Sequence, residues 1–159
     1  MKKVLEFLGF DVEDIDALVK GAIRKEDFWV KDGSEFLAIT EVTGTNAKNP
    51  KIKEFNDLFA RMATIFKRRD LVPDVSKVTG LLILNYDIET HPAKRPLLYG
   101  GEADEIVQTA AENNIGLLST VELYKLGVAV KDGIMTKEQA RALVKGFGRI
   151  AFSSAEERQ

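Results

Sequence analysis

Two periods of apolar residues run through the 159-residue chain. Val4, Leu5 and Leu8 recur at helical spacing, with Gly9 behind them, and predict a short helix from Lys2 to Phe10. Val12 to Val19 alternates weakly and reads as a first strand. Phe28-Trp29-Val30 is a β-rich triplet that leads into Lys31-Asp32-Gly33-Ser34. An Asp-Gly pair is the strongest short hairpin signal, so the chain should turn back directly into the stretch FLAITEVTG, residues 36 to 44, with Phe36 to Thr43 as the antiparallel partner. That strand is apolar on both faces, which suits a central position covered on both sides. Asn49-Pro50 then supplies a cap and a first-turn proline. Ile52, Phe55, Phe59, Met62 and Phe66 mark one face of a long helix ending near Arg69.

Leu81 to Leu84 predicts a fourth strand, followed by a loop from Tyr86 to Gly101 containing proline and glycine. A helix over Ala103 to Asn113 precedes a fifth strand, Ile115 to Leu118. Ser119-x-x-Glu122 and Thr136-x-x-Gln139 fit the capping box and open two further helices. No repeat, low-complexity tract or internal boundary interrupts this order. The expectation is one α/β domain over residues 1–150 and a flexible tail over 151–159. Its mixed central sheet has about five strands, with Phe36 to Thr43 and Leu81 to Leu84 in the middle and helices on both faces.

Composition narrows the function classes. At 45% hydrophobic and 30% charged residues the balance is that of an ordinary globular domain. Every apolar run is far shorter than the ~20 residues of a membrane span. The opening MKKVLEFLGF lacks the apolar core and cleavage site of a signal peptide. No cysteine is present, which excludes disulfides and thiolate metal sites and fits a cytoplasmic protein. A net charge of −2 means that any contact with nucleic acid must come from a local basic patch.

The chemistry that stands out is acidic and lies where strands leave the core. Glu26 and Asp27 begin the second strand, and Glu41 lies near the end of the third. A carboxylate at the end of a buried strand is costly unless something offsets its charge. The hairpin should set Asp27 beside Glu41, and two carboxylates at one spot are commonly reconciled by a shared divalent cation such as Mg²⁺ or Mn²⁺. The main-chain carbonyl of Val42 is a third oxygen ligand for it. The plainer alternative is two surface acids, one paired with a lysine. Plain readings are preferred elsewhere too. Trp29 should pack beneath the long helix, and Lys67-Arg68-Arg69 should complement a helix C-terminus. His91 should be a solvated loop residue, and Gly100-Gly101-Glu102 is too generic for a phosphate loop.

Glu26-Asp27-Phe28-Trp29-Val30, a hairpin, and then Glu41-Val42-Thr43-Gly44 followed by a long helix resemble the PD-(D/E)xK nuclease superfamily, the restriction-endonuclease-like fold. The resemblance covers roughly Lys2 to Leu126. It implies a Mg²⁺- or Mn²⁺-dependent endonuclease that hydrolyses DNA phosphodiesters, with Asp27 and Glu41 as metal ligands. One position departs from the pattern. Where the family usually carries the lysine that activates water, this chain has Thr43, a hydroxyl without positive charge. A migrated cation is therefore expected. Lys53, near the first turn of the long helix, is the chosen candidate, ahead of Lys48, Lys51 and Lys31. Asn56 lies near where relatives carry a glutamine. The competing expectation is a nuclease-fold module for DNA binding or protein assembly that has lost its chemistry. A third is a scaffold whose acids are structural. The sequence pI of about 5.6 leans towards these two. DNA is the expected partner, with no membrane, and with self-association as a homodimer or a place in a larger assembly.

Overall fold

The structure, a computed structural model, describes residues 1–15, 27–48, 52–64, 77–100 and 104–152. Six strands form one mixed sheet in simple sequential order: β1 (Asp11–Asp14), β2 (Phe28–Asp32), β3 (Phe36–Gly44), β4 (Val78–Asn85), β5 (Ile115–Ser119) and β6 (Gly148–Ile150). The first three are antiparallel neighbours, and β3 to β6 run parallel. Parallel neighbours need crossovers, and helices provide them. α2 (Ile52–Thr64) lies between β3 and β4, α3 (Asp104–Glu112) between β4 and β5, and α4 (Thr120–Lys131) with α5 (Lys137–Val144) between β5 and β6. α1 (Lys2–Leu8) precedes the sheet.

Period-two alternation divides the core. On β4, Leu82 and Leu84 face one way and join Ile39, Leu117, and Phe55 and Leu58 of α2 with Ala110 of α3. Leu81 and Ile83 face the other way, against Ala38, Leu118, Leu5 and Leu8 of α1, Leu123 and Leu126 of α4, and Ala140 and Val144 of α5. The sheet is thus covered on both sides, and β3 and β4 occupy its middle as expected. α2 sits tightly on β4. A Cβ at Gly80 would lie only 2.9 Å from Ile115 Cγ1 and 3.3 Å from Leu58 Cδ2, so glycine lets the layers close.

Several expectations shift. The Asp-Gly hairpin closes with Asp32 opposite Phe36 and a three-residue loop of Gly33, Ser34 and Glu35, in which Gly33 has φ of 60°. The expected first strand starts on time but spans only Asp11–Asp14; Ile15 has already left the strand, and residues 16–19 fall outside the described residues. On α2 the buried line is Phe55, Leu58 and half-buried Met62. Ile52 and Phe59 are exposed, because the face is centred one residue away from the assigned stripe. Phe66 and residues 67–69 lie outside the described residues. The sixth strand was not anticipated; three residues, beginning at a glycine with φ of 69°, carry too little pattern to announce themselves.

Both capping motifs are used, in different ways. Thr136 and Gln139 form the full reciprocal box at α5. At α4, Ser119 Oγ accepts from the Glu122 N–H at 3.0 Å, but the Glu122 carboxylate turns away to accept from the Phe152 N–H at 2.6 Å. The chain therefore stays docked two residues beyond β6, past the expected start of the tail, and residues 153–159 lie outside the described set.

Candidate functional site

Asp27 is held where three strands meet. Its N–H donates to the Thr40 carbonyl at 3.0 Å, and its own carbonyl accepts from the Ile15 N–H at 3.2 Å. With Phe28 opposite Thr40 in the register, Asp27 stands beside Glu41. The ladder ends there, and Asp27 Oδ2 takes over as partner by accepting the Val42 N–H at 2.6 Å. In an extended strand a residue's N–H and C=O leave by the same edge. The Val42 carbonyl thus lies on the Asp27 side of β3.

Glu41 and Thr43, two residues apart, share the face of β3 that looks towards α2. Both are half-buried. Glu41 Oε2 accepts from Arg61 Nη1 of α2 in a tight ion pair, with only 21% and 17% of the two side chains exposed. This is not a solvated surface pair. Burial pushes the Glu41 carboxyl above the usual carboxylate value, more than Arg61 draws it down; the negative charges of Asp27 and Asp57 push the same way as burial. Glu41 therefore feels Asp27 across the strand pair and Asp57 from the helix.

Arg61 is the residue that sequence reasoning missed. The cation expected from α2 was Lys53, but its side chain is 64% exposed and its Nζ pairs with Asp57 Oδ2 at 2.7 Å, one helical turn along. Arg61 follows the core residue Leu58 by three positions, and that spacing keeps it on the buried side of the helix. A basic residue three beyond a core leucine was the available signal. The other candidates are placed elsewhere. Lys31 donates to Glu13 at 2.6 Å and lies over the Trp29 ring, 5.7 Å from its centroid. Lys48 and Asn56 are exposed, while Glu26 and Lys51 are outside the described residues. Trp29 is buried with Phe55 and Leu58, as the packing reading required. His91 caps a short 3-10 turn, with Nδ1 accepting from the Ala93 N–H at 3.3 Å. Gly100 closes a turn onto the Leu97 carbonyl, and residues 101–103 are outside the described set.

Among the described residues no group of three or more acidic or histidine side chains converges as a metal cage. The donor set is smaller: the carboxylates of Asp27 and Glu41 and the Val42 carbonyl. All are oxygens, and Mg²⁺ characteristically takes one or two carboxylates and completes its shell with water and substrate oxygens. The donors fit such an ion. An arriving cation would have to share Glu41 with Arg61.

The sheet order and the helical crossovers define a restriction-endonuclease-like α/β fold. The chain is similar to the solved structure of restriction endonuclease FokI, with a TM-score of 0.54 and 18% sequence identity over 94% of this chain and 27% of that one. The likeness is one of fold, and the chain spans about a quarter of that enzyme's length. No family model matches the chain, and no curated protein matches it in sequence. No helix among the described residues is long and apolar enough to cross a membrane.

Proposed function

We propose that the chain is a divalent-metal-dependent nuclease acting on DNA, with Asp27 and Glu41 as metal ligands and the Val42 carbonyl beside them. The observation that carries this reading is geometric: the strand register sets Asp27 opposite half-buried Glu41, and Asp27 Oδ2 accepts the Val42 N–H between them at 2.6 Å. Bound there, Mg²⁺ or Mn²⁺ would polarise a phosphoryl oxygen and acidify a water. The remaining tasks belong to the chain. Asp27 holds the end of β3 through the Val42 N–H, which keeps the donors in register. Arg61 brings the positive charge that Thr43 cannot, and with Glu41 as its anchor it is aimed at the same edge. Thr43, on the Glu41 face, can orient a water by hydrogen bonding.

A second reading rests on that same ion pair. If Arg61 permanently occupies Glu41 in place of a metal, the protein is a nuclease-fold module for DNA binding or protein assembly without hydrolysis. Calorimetric titration of Mg²⁺ and Mn²⁺ into wild type and Glu41→Ala, with cleavage assays on plasmid and branched DNA, separates the two. Metal heats lost in Glu41→Ala, with wild-type cutting, support the nuclease. No wild-type cutting, with activity gained in Thr43→Lys, supports the lapsed module. Equal heats in both proteins remove the metal site.

A further inference from the structure

The C-terminal ends of the parallel strands carry a second concavity that the acid pair does not share. A cavity of about 200 Å³ opens beyond β4, β5 and β6, and Tyr86, Ser119 and Ile150 at the strand ends contribute to its wall. Crevices outside the carboxyl ends of parallel strands are the habitual ligand positions of open α/β sheets. Drug-sized ligands occupy roughly 300–1,000 Å³, so this volume suits something smaller and polar.

Its charges are arranged unlike the acid pair of β2 and β3. Arg95, Lys125 and Arg149 line it against a single carboxylate, Glu122. That carboxylate is already committed, with Oε2 on the Phe152 N–H at 2.6 Å and Oε1 3.2 Å from Lys125 Nζ. Arg149 is fixed by carbonyls: Nε donates to Leu98 at 2.6 Å, and Nη2 donates to Tyr99 at 2.7 Å and to the exposed Asp104. Arg95 is the more telling group. Its Nε donates to the Thr90 carbonyl at 3.0 Å and its Nη1 to Asn85 Oδ1 at 3.0 Å, both neutral acceptors. Among the described residues it forms no ion pair, although it is half-buried. Partly withdrawing a guanidinium from water without an anion is costly, and among the described residues Nη2 of Arg95 and Nη1 of Arg149 have no hydrogen-bond partner. Planar guanidiniums held in this way match phosphate oxygens.

We propose that this cavity is a binding site for a phosphate monoester, with Arg95 as its principal anchor and Arg149 and Lys125 as supporting cations. The proposal is independent of metal chemistry at Asp27 and Glu41. Two sources present that group: the phosphorylated end of a nucleic-acid strand and a free mononucleotide.

The test uses the intact protein in EDTA, so that the acid pair holds no metal. Fluorescence anisotropy compares a 5′-phosphorylated oligonucleotide with its 5′-hydroxyl twin, and a nucleoside 5′-monophosphate and inorganic phosphate serve as competitors. The phosphorylated strand should bind about tenfold tighter, the worth of one charge-assisted hydrogen bond, and Arg95→Gln should erase the difference while Lys77→Gln, an exposed cation outside the cavity, preserves it. Amide shifts of wild type on phosphate addition provide a check that does not depend on the variant folding; they should concentrate at Ser119, Val121 and Ile150 rather than at Val42. A mononucleotide that produces those shifts without any strand preference supports the site with the free nucleotide as its ligand. Absence of both effects, shifts centred elsewhere, or binding undiminished in folded Arg95→Gln overturns the proposal.

Discussion

The β2–β3 pair under α2 and the cavity beyond β4 to β6 are both charged, half-buried parts of one sheet, yet Glu41 in the first and Arg95 in the second are held in opposite ways. At the strand pair, opposite charges meet directly, Glu41 with Arg61. In the cavity, Lys125 and Arg149 each have a carboxylate partner, but Arg95 is held by an amide oxygen and a main-chain carbonyl, which fix its position without cancelling its charge. What a charged group can do next depends on what already neutralises it. Glu41 must be released from Arg61, or shared, before it serves a cation. Arg95 has no such tie to break.

The sharpest way to test that contrast is to cut the tie. On the nuclease reading, Arg61→Gln should lower metal-dependent cleavage by roughly 10²–10³-fold, as loss of one charge-stabilising donor does. The same change should tighten Mn²⁺ binding, because a positive charge beside the ligand is gone; calorimetry and single-turnover cleavage on one preparation read both. Looser metal binding in Arg61→Gln would mean that the guanidinium supports the site by position rather than competing for it.

The stability side follows. Glu41→Ala should cost about 3 kcal/mol in urea unfolding, because it strands a largely buried guanidinium, while Glu41→Leu with Arg61→Leu should recover most of the loss. A double variant as unstable as the single one would show that α2 is held at this point by the ion pair and not by Phe55 and Leu58. Asp27 offers a finer dissection. Asp27→Ala leaves the Val42 N–H without its acceptor and should cost about 1–3 kcal/mol. Asp27→Asn keeps an acceptor oxygen and should cost less, yet still weaken metal binding through the lost charge.

Glu41 also sets a pH dependence whose sign is determined. Its carboxyl is raised from 4.5 in the folded protein, so the folded state retains a proton that the unfolded chain has released. The associated stability is fully present below the ordinary carboxylate value and is lost as pH rises through the raised one. Unfolding curves taken upward from the ordinary carboxylate value should show wild type losing ground to Glu41→Gln as pH rises, with Mn²⁺ affinity growing in the same direction. The smallest expected effect belongs to Lys53→Ala. An exposed i,i+4 pair contributes about 0.3–0.5 kcal/mol, so thermal unfolding should scarcely move. A large loss of cleavage in Lys53→Ala would return the catalytic cation to Lys53 and leave Arg61 with a structural role.

Much of this molecule was readable locally. A β-rich triplet and a turn dipeptide pointed to the β2–β3 hairpin, and its register sets Asp27 beside Glu41. Apolarity on both faces placed β3 and β4 at the centre, since neither could leave a face in water. Thr136 and Gln139 announced the start of α5 through chemistry confined to four residues. The contacts that give the two charged regions their character join residues far apart in the chain. Arg61 meets Glu41 across 20 positions because α2 packs on Phe55 and Leu58 and leaves Ile52 and Phe59 of the expected stripe exposed. The cavity collects Arg95, Lys125 and Arg149 from three separate segments, and β6 exists only because the sheet offers it an edge to pair with. Local periodicity decides which residues form each element and which face each buries. Which charges then meet depends on how those elements dock, and only the packed sheet and helices decide that.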